Sequence, residues 1–414
     1  MKEEKSKKGL IPYKWELIVM LWFAYFLNQG DRQIYNVVIP LIKTDLQLSD
    51  IQLGLVATIF TVVYGVLVPF AGYLGDFMKR KWIVFTSLVV FSLGTLLTGF
   101  SGGLIGLIIL RGVTTGGGEA FYYPAATSLI SQYHQKTRAM AMSIHQTSLY
   151  VGIVASGFIA AYIGERFGWR YSFFTFGLGG IILAMYLFFR MKDTPQPKTA
   201  EKRQSILFVI KAIFRKKTAL MLALAFGGMC FVNIGYVTWT STFYHEKYHL
   251  SLSEAGFTSL FFHFAFALCG VLIGGKISDK LASKRKKIRL ETEFWGLLLG
   301  APFIFIMGYT YNIYISYAAL ALFGFFRGVY DSNLYAALFD VIEPHLRASS
   351  VGIMTAFAFL VGALAPLILG VIKTHYGLSL GIASLSFFYV FSACMVLIAI
   401  LFFFKKEYYE EKTT

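Results

Sequence analysis

Charged residues are scarce in this chain of 414 residues. They make up only 14% of it, whereas 57% of its residues are hydrophobic. A soluble globular chain is typically about 25% charged and about 45–50% apolar. Together with a mean hydropathy of +0.62, this scarcity excludes an ordinary soluble domain and indicates a polytopic membrane protein.

Cysteine is equally rare, and its three residues all lie in apolar segments, which argues against a disulfide framework. No His, Cys or carboxylate spacing is typical of a metal site, and no phosphate-binding loop supports ATP-driven pumping. Because no catalytic constellation supports an enzyme either, we expect no cofactor. The net charge of +16 could indicate nucleic acid, but the basic residues are confined to alternate loops, so none is expected.

Long apolar runs predict twelve membrane-spanning helices, since a span needs about 20 mostly apolar residues. Their approximate ranges are 17–42, 51–74, 82–101, 103–131, 139–163, 170–190, 218–244, 253–275, 294–311, 313–341, 348–372 and 378–404. No small-residue cleavage site follows the first run, so we expect a spanning helix there and not a cleaved signal. The predicted fold is all-α, with two halves of six helices.

Lysine and arginine give the predicted orientation. With both termini in the cytoplasm, the termini and cytoplasmic loops hold 30 basic residues and the opposite loops hold five. This asymmetry predicts cytoplasmic termini in an inner or plasma membrane. The predicted regions are a terminus at 1–16, a bundle at 17–190, a linker at 191–217 with an amphipathic surface helix, a second bundle at 218–404 and a terminus at 405–414.

Polar residues interrupt the first apolar run at positions 28–33. A charged group at the bilayer centre costs at least ~2.5–3.5 kcal/mol and therefore usually faces a cavity or a partner. Asn28, Asp31 and Tyr35 share one helical stripe, and Arg32 lies on the stripe beside it. Arg32 could bind a carboxylate of the substrate, and Asn28 and Tyr35 are also predicted to bind the substrate. Asp31 could bind a proton. The alternative is a fixed pair of Asp31 with Arg32, or an ion pair between helices, that only joins helices.

Three later helices also carry polar or charged side chains at helical spacing. We expect each of these polar faces to line the same cavity. For each, the alternative is that the side chains form an ion pair or hydrogen bonds between helices. The predicted substrate-binding residues are Arg111 and Tyr122 in helix 4, Asn233, Tyr236 and Thr240 in helix 7, and Arg327 in helix 10. Glu119 and Asp331 are the predicted proton-binding residues of helices 4 and 10. His145 and His263 are interpreted as packing residues.

The two halves repeat one loop pattern. Gly72…Asp76…Arg80-Lys81 follows helix 2, and Gly275…Asp279…Arg285 follows helix 8. Internal duplication of this kind is typical of secondary transporters. The alternative reading of these loops is a solvated basic turn that fixes topology.

On these loops the chain resembles the major facilitator superfamily over essentially its whole length. The resemblance implies a monomeric transporter and a gating role for Asp76, Arg80, Lys81, Asp279 and Arg285. Two branches compete. Asp31-Arg32, the 118–126 segment and Phe167-Gly-Trp-Arg170 are similar to anion:cation symporters, which carry sugar acids and other carboxylates with protons. Asp31-Arg32, Arg111…Glu119 and the 340–347 segment also resemble spinster-like transporters of lysolipids and sphingolipids.

One spacing departs from both branches. There the arginine of helix 4 usually precedes the glutamate by seven residues, whereas Arg111 and Glu119 are eight apart. In an α-helix the extra residue would turn Glu119 about 80° away from Arg111. A π-bulge within the glycine run 116–118 could absorb it.

The sequence therefore predicts a secondary transporter that moves a small organic anion, with Asp31 and Glu119 binding protons and Arg32 or Arg111 binding the anion. The alternative is a spinster-like carrier of lysolipid. A transporter-shaped receptor is a third reading, and the absence of a soluble signalling domain argues against it. Proton and sodium coupling, and import, export and exchange, are left open.

Overall fold

The computed structural model describes residues 12–74, 78–192, 210, 211, 213, 215–282 and 284–409. Twelve long helices follow one another through them. They are α1 (Tyr13–Leu46), α2 (Asp50–Leu74), α3 (Arg80–Thr98), α4 (Leu104–Tyr133), α5 (Arg138–Phe167), α6 (Trp169–Arg190), α7 (Lys217–Tyr248), α8 (Leu252–Ala282), α9 (Ile288–Tyr309), α10 (Ile313–Phe339), α11 (Ser349–Tyr376) and α12 (Leu378–Glu407).

Eleven helices in the described part of the chain are long and apolar enough to cross a membrane. The twelfth, α1, has 34 residues and is also long enough, but the polar residues 28–33 interrupt its apolar run. The predicted all-α membrane fold with twelve helices is therefore confirmed. Large apolar side chains are exposed around the bundle, with Phe189 at 82% and Ile105 at 73%. They form the surface expected to face lipid tails.

Small residues set the closest helix contacts within the C-terminal half. Along the line where α8 meets α10, added Cβ atoms on three glycines would collide with backbone carbonyl groups of the facing helix. These glycines are Gly270, Gly324 and Gly328. Close approach through small residues is how helices pack inside a membrane, where water supplies no hydrophobic driving force between them. This packing brings His263 of α8 against α10.

The two halves contact each other at the predicted extracellular end. Gly54 of α2 faces the backbone of α11, where an added Cβ would lie 2.9 Å from the carbonyl carbon of Pro366. Ser253 of α8 donates a hydrogen bond to Glu165 of α5 over 2.7 Å. We call these α2–α11 and α5–α8 contacts the outer seal. They join the two halves at this end of the bundle.

Ion pairs strengthen the outer seal. Asp50, at the start of α2, lies 2.8 Å from Lys43 of its own half and 3.0 Å from Lys373 of α11. Lys373 also lies 2.7 Å from Glu246 of α7. Lys43 and Lys373 are two of the five basic residues predicted at this end, and both have an acidic partner there.

Most of the predicted linker helix at 191–217 lies outside the described residues. At its end, Ile213 is buried in the apolar core. Lys216 then forms an ion pair with Glu343 over 2.7 Å. This end of the linker is therefore anchored to the C-terminal half.

We expect Gly54→Ala to open the outer seal. The added methyl group would press on the backbone of α11, which cannot move as a side-chain rotamer can. An overpacking penalty of ~1–3 kcal/mol on the sealed form would shift the conformational populations roughly 5- to 150-fold. Spin labels at Gln47 and His375, with Cys269 and Cys394 replaced by Ser, would report the longer distance between the halves.

Gly65→Ala is the matched control. It lies on the same helix and faces the same partner helix, but its added Cβ would meet the Phe359 side chain at 3.4 Å, an ordinary contact. The Gly65 variant should keep the native distance distribution. An unchanged distribution in a folded Gly54→Ala protein would contradict the expectation that this contact controls the seal.

Candidate functional site

A π-helix in α4 brings Arg111 and Glu119 together. Residues Leu107–Thr115 form the π-helix, and ordinary α-helix resumes at Gly116. The hydroxyl of Thr115 donates to the carbonyl of Leu110, five residues earlier, as the wider helix permits. Arg111 Nη1 consequently lies 3.9 Å from Glu119 Oε1. The bulge considered from the sequence is present, and it ends just before the glycine run instead of lying within it.

Glu119 also binds the arginine of α1. Arg32 Nε donates to Glu119 Oε2 over 2.7 Å, a charge-assisted hydrogen bond. The Glu119 side chain is fully buried, whereas 21% of the Arg32 side chain is exposed. Two cations therefore converge on one carboxylate, and Arg32 is the more exposed of the two.

Aromatic rings support both guanidinium groups. The Arg32 guanidinium lies 4.3 Å from the ring centre of Tyr64, and that of Arg111 lies 4.2 Å from the ring centre of Phe60. Both rings belong to α2, and cation–π contacts of this geometry are favourable in desolvated sites. Sequence reasoning missed Tyr64 and Phe60, because nothing in the α2 sequence indicates which of its faces meets α1 and α4.

The carboxyl group of Asp31 turns away from Arg32 and towards α3. Thr95 donates a hydrogen bond to Asp31 Oδ2 over 2.9 Å, and Oδ1 has no hydrogen-bond partner in the described part of the chain. Asp31 is only 2% exposed. Its neighbour in sequence is therefore not its ion-pair partner, and Thr95 is a second residue that sequence reasoning missed.

Asn28 lies one turn before Asp31 on the same helix and is also buried. Its Oδ1 accepts a hydrogen bond from Gln29 over 2.9 Å, and its Nδ2 has no hydrogen-bond partner among the described residues. Asn233 of α7 is half-buried and likewise has an unpartnered amide oxygen, whereas Thr240 is fully buried. The two amides can still make hydrogen bonds. Their predicted role in substrate binding remains a prediction.

Three predicted substrate-binding tyrosines are buried between helices. The hydroxyl groups of Tyr35, Tyr122 and Tyr236 donate to the backbone carbonyls of Leu53, Leu21 and Ser259 respectively. None of the three is more than 1% exposed. The geometry gives each a role in joining helices and offers no free hydroxyl, so their predicted contact with substrate finds no support in the geometry.

In the C-terminal half, Arg327 and Asp331 form the pair that their i, i+4 spacing predicts. Arg327 Nε lies 3.4 Å from Asp331 Oδ2. Arg327 Nη1 also donates to His263 Nε2 over 2.9 Å. Because arginine has only donors, His263 must be a neutral imidazole with its proton on Nδ1. The sequence interpretation of His263 as a packing residue overlooked this hydrogen bond.

His145 packs in the N-terminal half as expected. Its ring stacks on Tyr25 with centres 4.7 Å apart, and its Nε2 lies 3.3 Å from the hydroxyl of Tyr122. Over the described part of the chain no cluster of three or more His, Cys, Asp or Glu residues could hold a metal ion.

The predicted gating loops are only partly described. Asp76 lies outside the described residues, whereas Arg80 and Lys81 begin α3 and Asp279 lies near the end of α8. Arg285 Nε lies 2.8 Å from Glu291 Oε2 of α9. The predicted gating role of these five residues stays a prediction.

The sequence matches a family model over more than half of its length. The model described as Major Facilitator Superfamily covers residues 21–291. This is more than half of the chain, which therefore belongs to the Major Facilitator Superfamily. The family confirms the predicted fold and establishes the class as a membrane transporter.

Particular relatives fall into two groups. A hexuronate transporter of Bacillus subtilis (strain 168) is 24% identical over 380 residues, which are 88% of this chain and 89% of that protein. Protein spinster homolog 1 of Homo sapiens is 29% identical over 325 residues, 72% of this chain and 61% of that protein. A bacterial spinster homologue solved in an inward-facing, unoccupied conformation is 21% identical, with a TM-score of 0.84 over 97% of this chain.

Proposed function

We propose that this transporter moves a small organic anion, such as a sugar acid or another carboxylate, together with protons. The observation that carries the proposal is the cluster of Arg32, Arg111, Glu119 and Asp31 between α1 and α4. It contains two cations and two carboxyl groups in a buried setting. The relative named for hexuronate transport supports the same substrate class.

The free hydrogen-bonding groups of this cluster suit a carboxylate ligand. Arg32 Nη2 and Arg111 Nε and Nη1 make no hydrogen bonds within the described residues. Arginine presents its donors as a planar fork that binds carboxylate bidentately. Because only Arg32 is appreciably exposed, we assign it the first contact with the anion. We assign Arg111 a supporting role, in which it supplies a second positive charge deeper in the site.

Protonation would switch the site between two charge states. With Glu119 and Asp31 ionised, the four groups sum to zero and Glu119 occupies Arg32. A proton on Glu119 removes the competitor of the substrate and leaves excess positive charge for an anion. Proton binding and anion binding would thus favour each other, which is the thermodynamic requirement for coupling.

The other half would complete the cavity. Arg327, Asp331 and Asn233 face Arg32 from α10 and α7 in this proposal. The halves, proposed as 17–190 and 218–404, would exchange access by rocking about the site, opening the outer seal as the predicted gating loops close. We place the protein as a monomer in the inner or plasma membrane with both termini in the cytoplasm.

A second candidate is a carrier of lysolipid. The 29% identity with human spinster homolog 1 over 325 residues favours it. Spinster-like carriers share Asp-Arg in the first helix and Arg…Glu in the fourth, so this cluster alone does not separate the candidates. The unpartnered amides and guanidinium groups near the cavity favour a hydrated, hydroxyl-rich ligand over a lipid.

Thermal stabilisation of the purified protein tests the proposal. The panel would hold sugar acids, dicarboxylates, neutral sugars and lysolipids, each at acid and neutral pH and in sodium or potassium buffer. A ligand at 100 times its Kd adds ~2.7 kcal/mol of apparent stability. Stabilisation by a carboxylate, strongest at acid pH, is the expected result. Stabilisation by lysolipids alone would support the second candidate, and a strict sodium requirement would contradict proton coupling.

A further inference from the structure

Another buried carboxyl group lies in the C-terminal half, away from the cluster just described. Glu293 occupies the second turn of α9 and is 0% exposed. Neither of its carboxylate oxygens has a hydrogen-bond partner in the described part of the chain. Glu291, two residues earlier, pairs with Arg285 instead. The absence of a partner is thus particular to Glu293 on this helix.

The neighbours of Glu293 on α10 supply no positive charge. α9 packs closely on α10 at Gly296, where an added Cβ would lie 2.8 Å from the backbone nitrogen of Tyr330. Tyr330 is itself buried, and its hydroxyl has no hydrogen-bond partner within the described residues. The next residue of α10, Asp331, and Asp340 beyond the end of this helix are both acidic.

The nearest cation on the same helix is already engaged. Arg289 lies one turn before Glu293, and its guanidinium forms an ion pair with Asp340 beyond the end of α10. Its Nε remains without a hydrogen-bond partner in the described part of the chain. α12 meets α9 two turns further along, where an added Cβ on Gly300 would lie 3.1 Å from the ring of Tyr389, whose hydroxyl is also unpartnered in that part of the chain. None of these residues offers Glu293 a free cation.

An ionised carboxylate without a hydrogen bond or a counter-ion is strongly disfavoured in such surroundings, whereas the neutral acid is tolerated. We propose that Glu293 is a proton-binding site of the C-terminal half and carries a proton in the conformation described here. It is distinct from Asp31 and Glu119, and it does not depend on which substrate the transporter carries.

Arg289 gives this proton site a link to conformation. Residues four apart on a helix are within reach of each other, so Arg289 can bind Glu293 whenever Asp340 releases it. A movement that separates the start of α9 from the end of α10 would exchange the partners of Arg289. The Glu293 proton would then pass to water at the predicted cytoplasmic end, and the reverse movement would take it up again.

Infrared difference spectroscopy of the purified protein at neutral pH tests the proposal. Wild type minus Glu293→Gln should contain the carbonyl stretch of a protonated carboxyl group. Wild type minus Glu291→Gln, the matched control on the same helix, should lack it. Absence of the band from the first difference would overturn the proposal, and so would its loss when sodium replaces potassium, because a sodium site holds an ionised carboxylate.

Stability provides the second measurement. Above the ordinary pKa of glutamate, wild type must take up a proton at Glu293 when it folds, whereas Glu293→Gln, which has nearly the shape of the neutral acid, needs none. The two proteins should therefore melt within about 2 °C of each other at about pH 4. As the pH rises towards neutrality, wild type should become progressively less stable than Glu293→Gln. A Glu293→Gln protein that fails to fold, while Glu293→Asp folds, would show that the charge is required and would overturn the proposal.

Discussion

Glu119→Gln is expected to abolish proton-driven accumulation of substrate and to leave exchange of substrate across the membrane intact. Glutamine mimics the protonated glutamate permanently, so Arg32 stays available to the anion while no proton can be released. For each coupled proton, a gradient of one pH unit supports about tenfold accumulation. In proteoliposomes the Glu119→Gln variant should show no accumulation of substrate driven by a pH gradient, whereas counterflow of labelled substrate should persist.

Two further variants sharpen the Glu119 experiment. Glu16→Gln is the matched control, because it also removes a carboxylate from an ion pair, with Arg190 over 2.6 Å, far from the cavity. It should accumulate substrate normally. Glu119→Asp keeps a titrating group and should retain part of the coupling. Loss of both accumulation and exchange in a folded Glu119→Gln protein would instead indicate that Glu119 only holds the helices together.

Arg32→Ala is expected to remove most of the affinity for a carboxylate ligand. Truncating one partner of a buried, hydrogen-bonded charge pair costs ~2–5 kcal/mol, so Kd should rise by at least about 30-fold. Arg32→Lys keeps the charge but loses the planar fork. Its Kd should lie between the Kd values of wild type and Arg32→Ala. Isothermal calorimetry with the carboxylate identified by thermal stabilisation would measure these values.

Arg190→Ala is the control for Arg32→Ala, since it removes an arginine from an exposed ion pair with Glu16 and should leave Kd unchanged. A folded Arg32→Ala protein that binds the carboxylate as tightly as wild type does would contradict the assignment of Arg32 to the anion.

The sequence predicted the number and order of the helices, because a long apolar run in lipid can satisfy its backbone hydrogen bonds only as a helix. The sequence predicted the ends of the helices less accurately. We predicted that the ninth helix begins at 294, whereas it begins at Ile288. Arg289 and Glu293 resembled loop residues because they are charged. In the structure, however, Arg289 pairs with Asp340 and Glu293 is buried. Hydropathy counts a charged residue as unfavourable in a membrane span, and it contains no information about an ion-pair partner that stabilises the residue there.

The candidate site was predicted in its residue types but not in its pairing. Arg32, Arg111 and Glu119 were singled out because charge inside a membrane needs a reason, and they do lie together. The adjacency of Asp31 and Arg32 suggested a pair that does not form, since consecutive residues on a helix point about 100° apart. Thr95 and Tyr64 belong to helices whose facing surfaces only the folded chain defines, so no sequence pattern could have indicated them.

The π-helix at Leu107–Thr115 also changes how this chain should be aligned with its relatives. It acts as a one-residue insertion that leaves the flanking α-helical segments in register with their neighbours. An alignment to relatives in which the arginine precedes the glutamate by seven residues should therefore open its gap between Arg111 and Thr115. A gap placed later, among the glycines, would compare Val113, Thr114 and Thr115 with residues that occupy a different side of the helix.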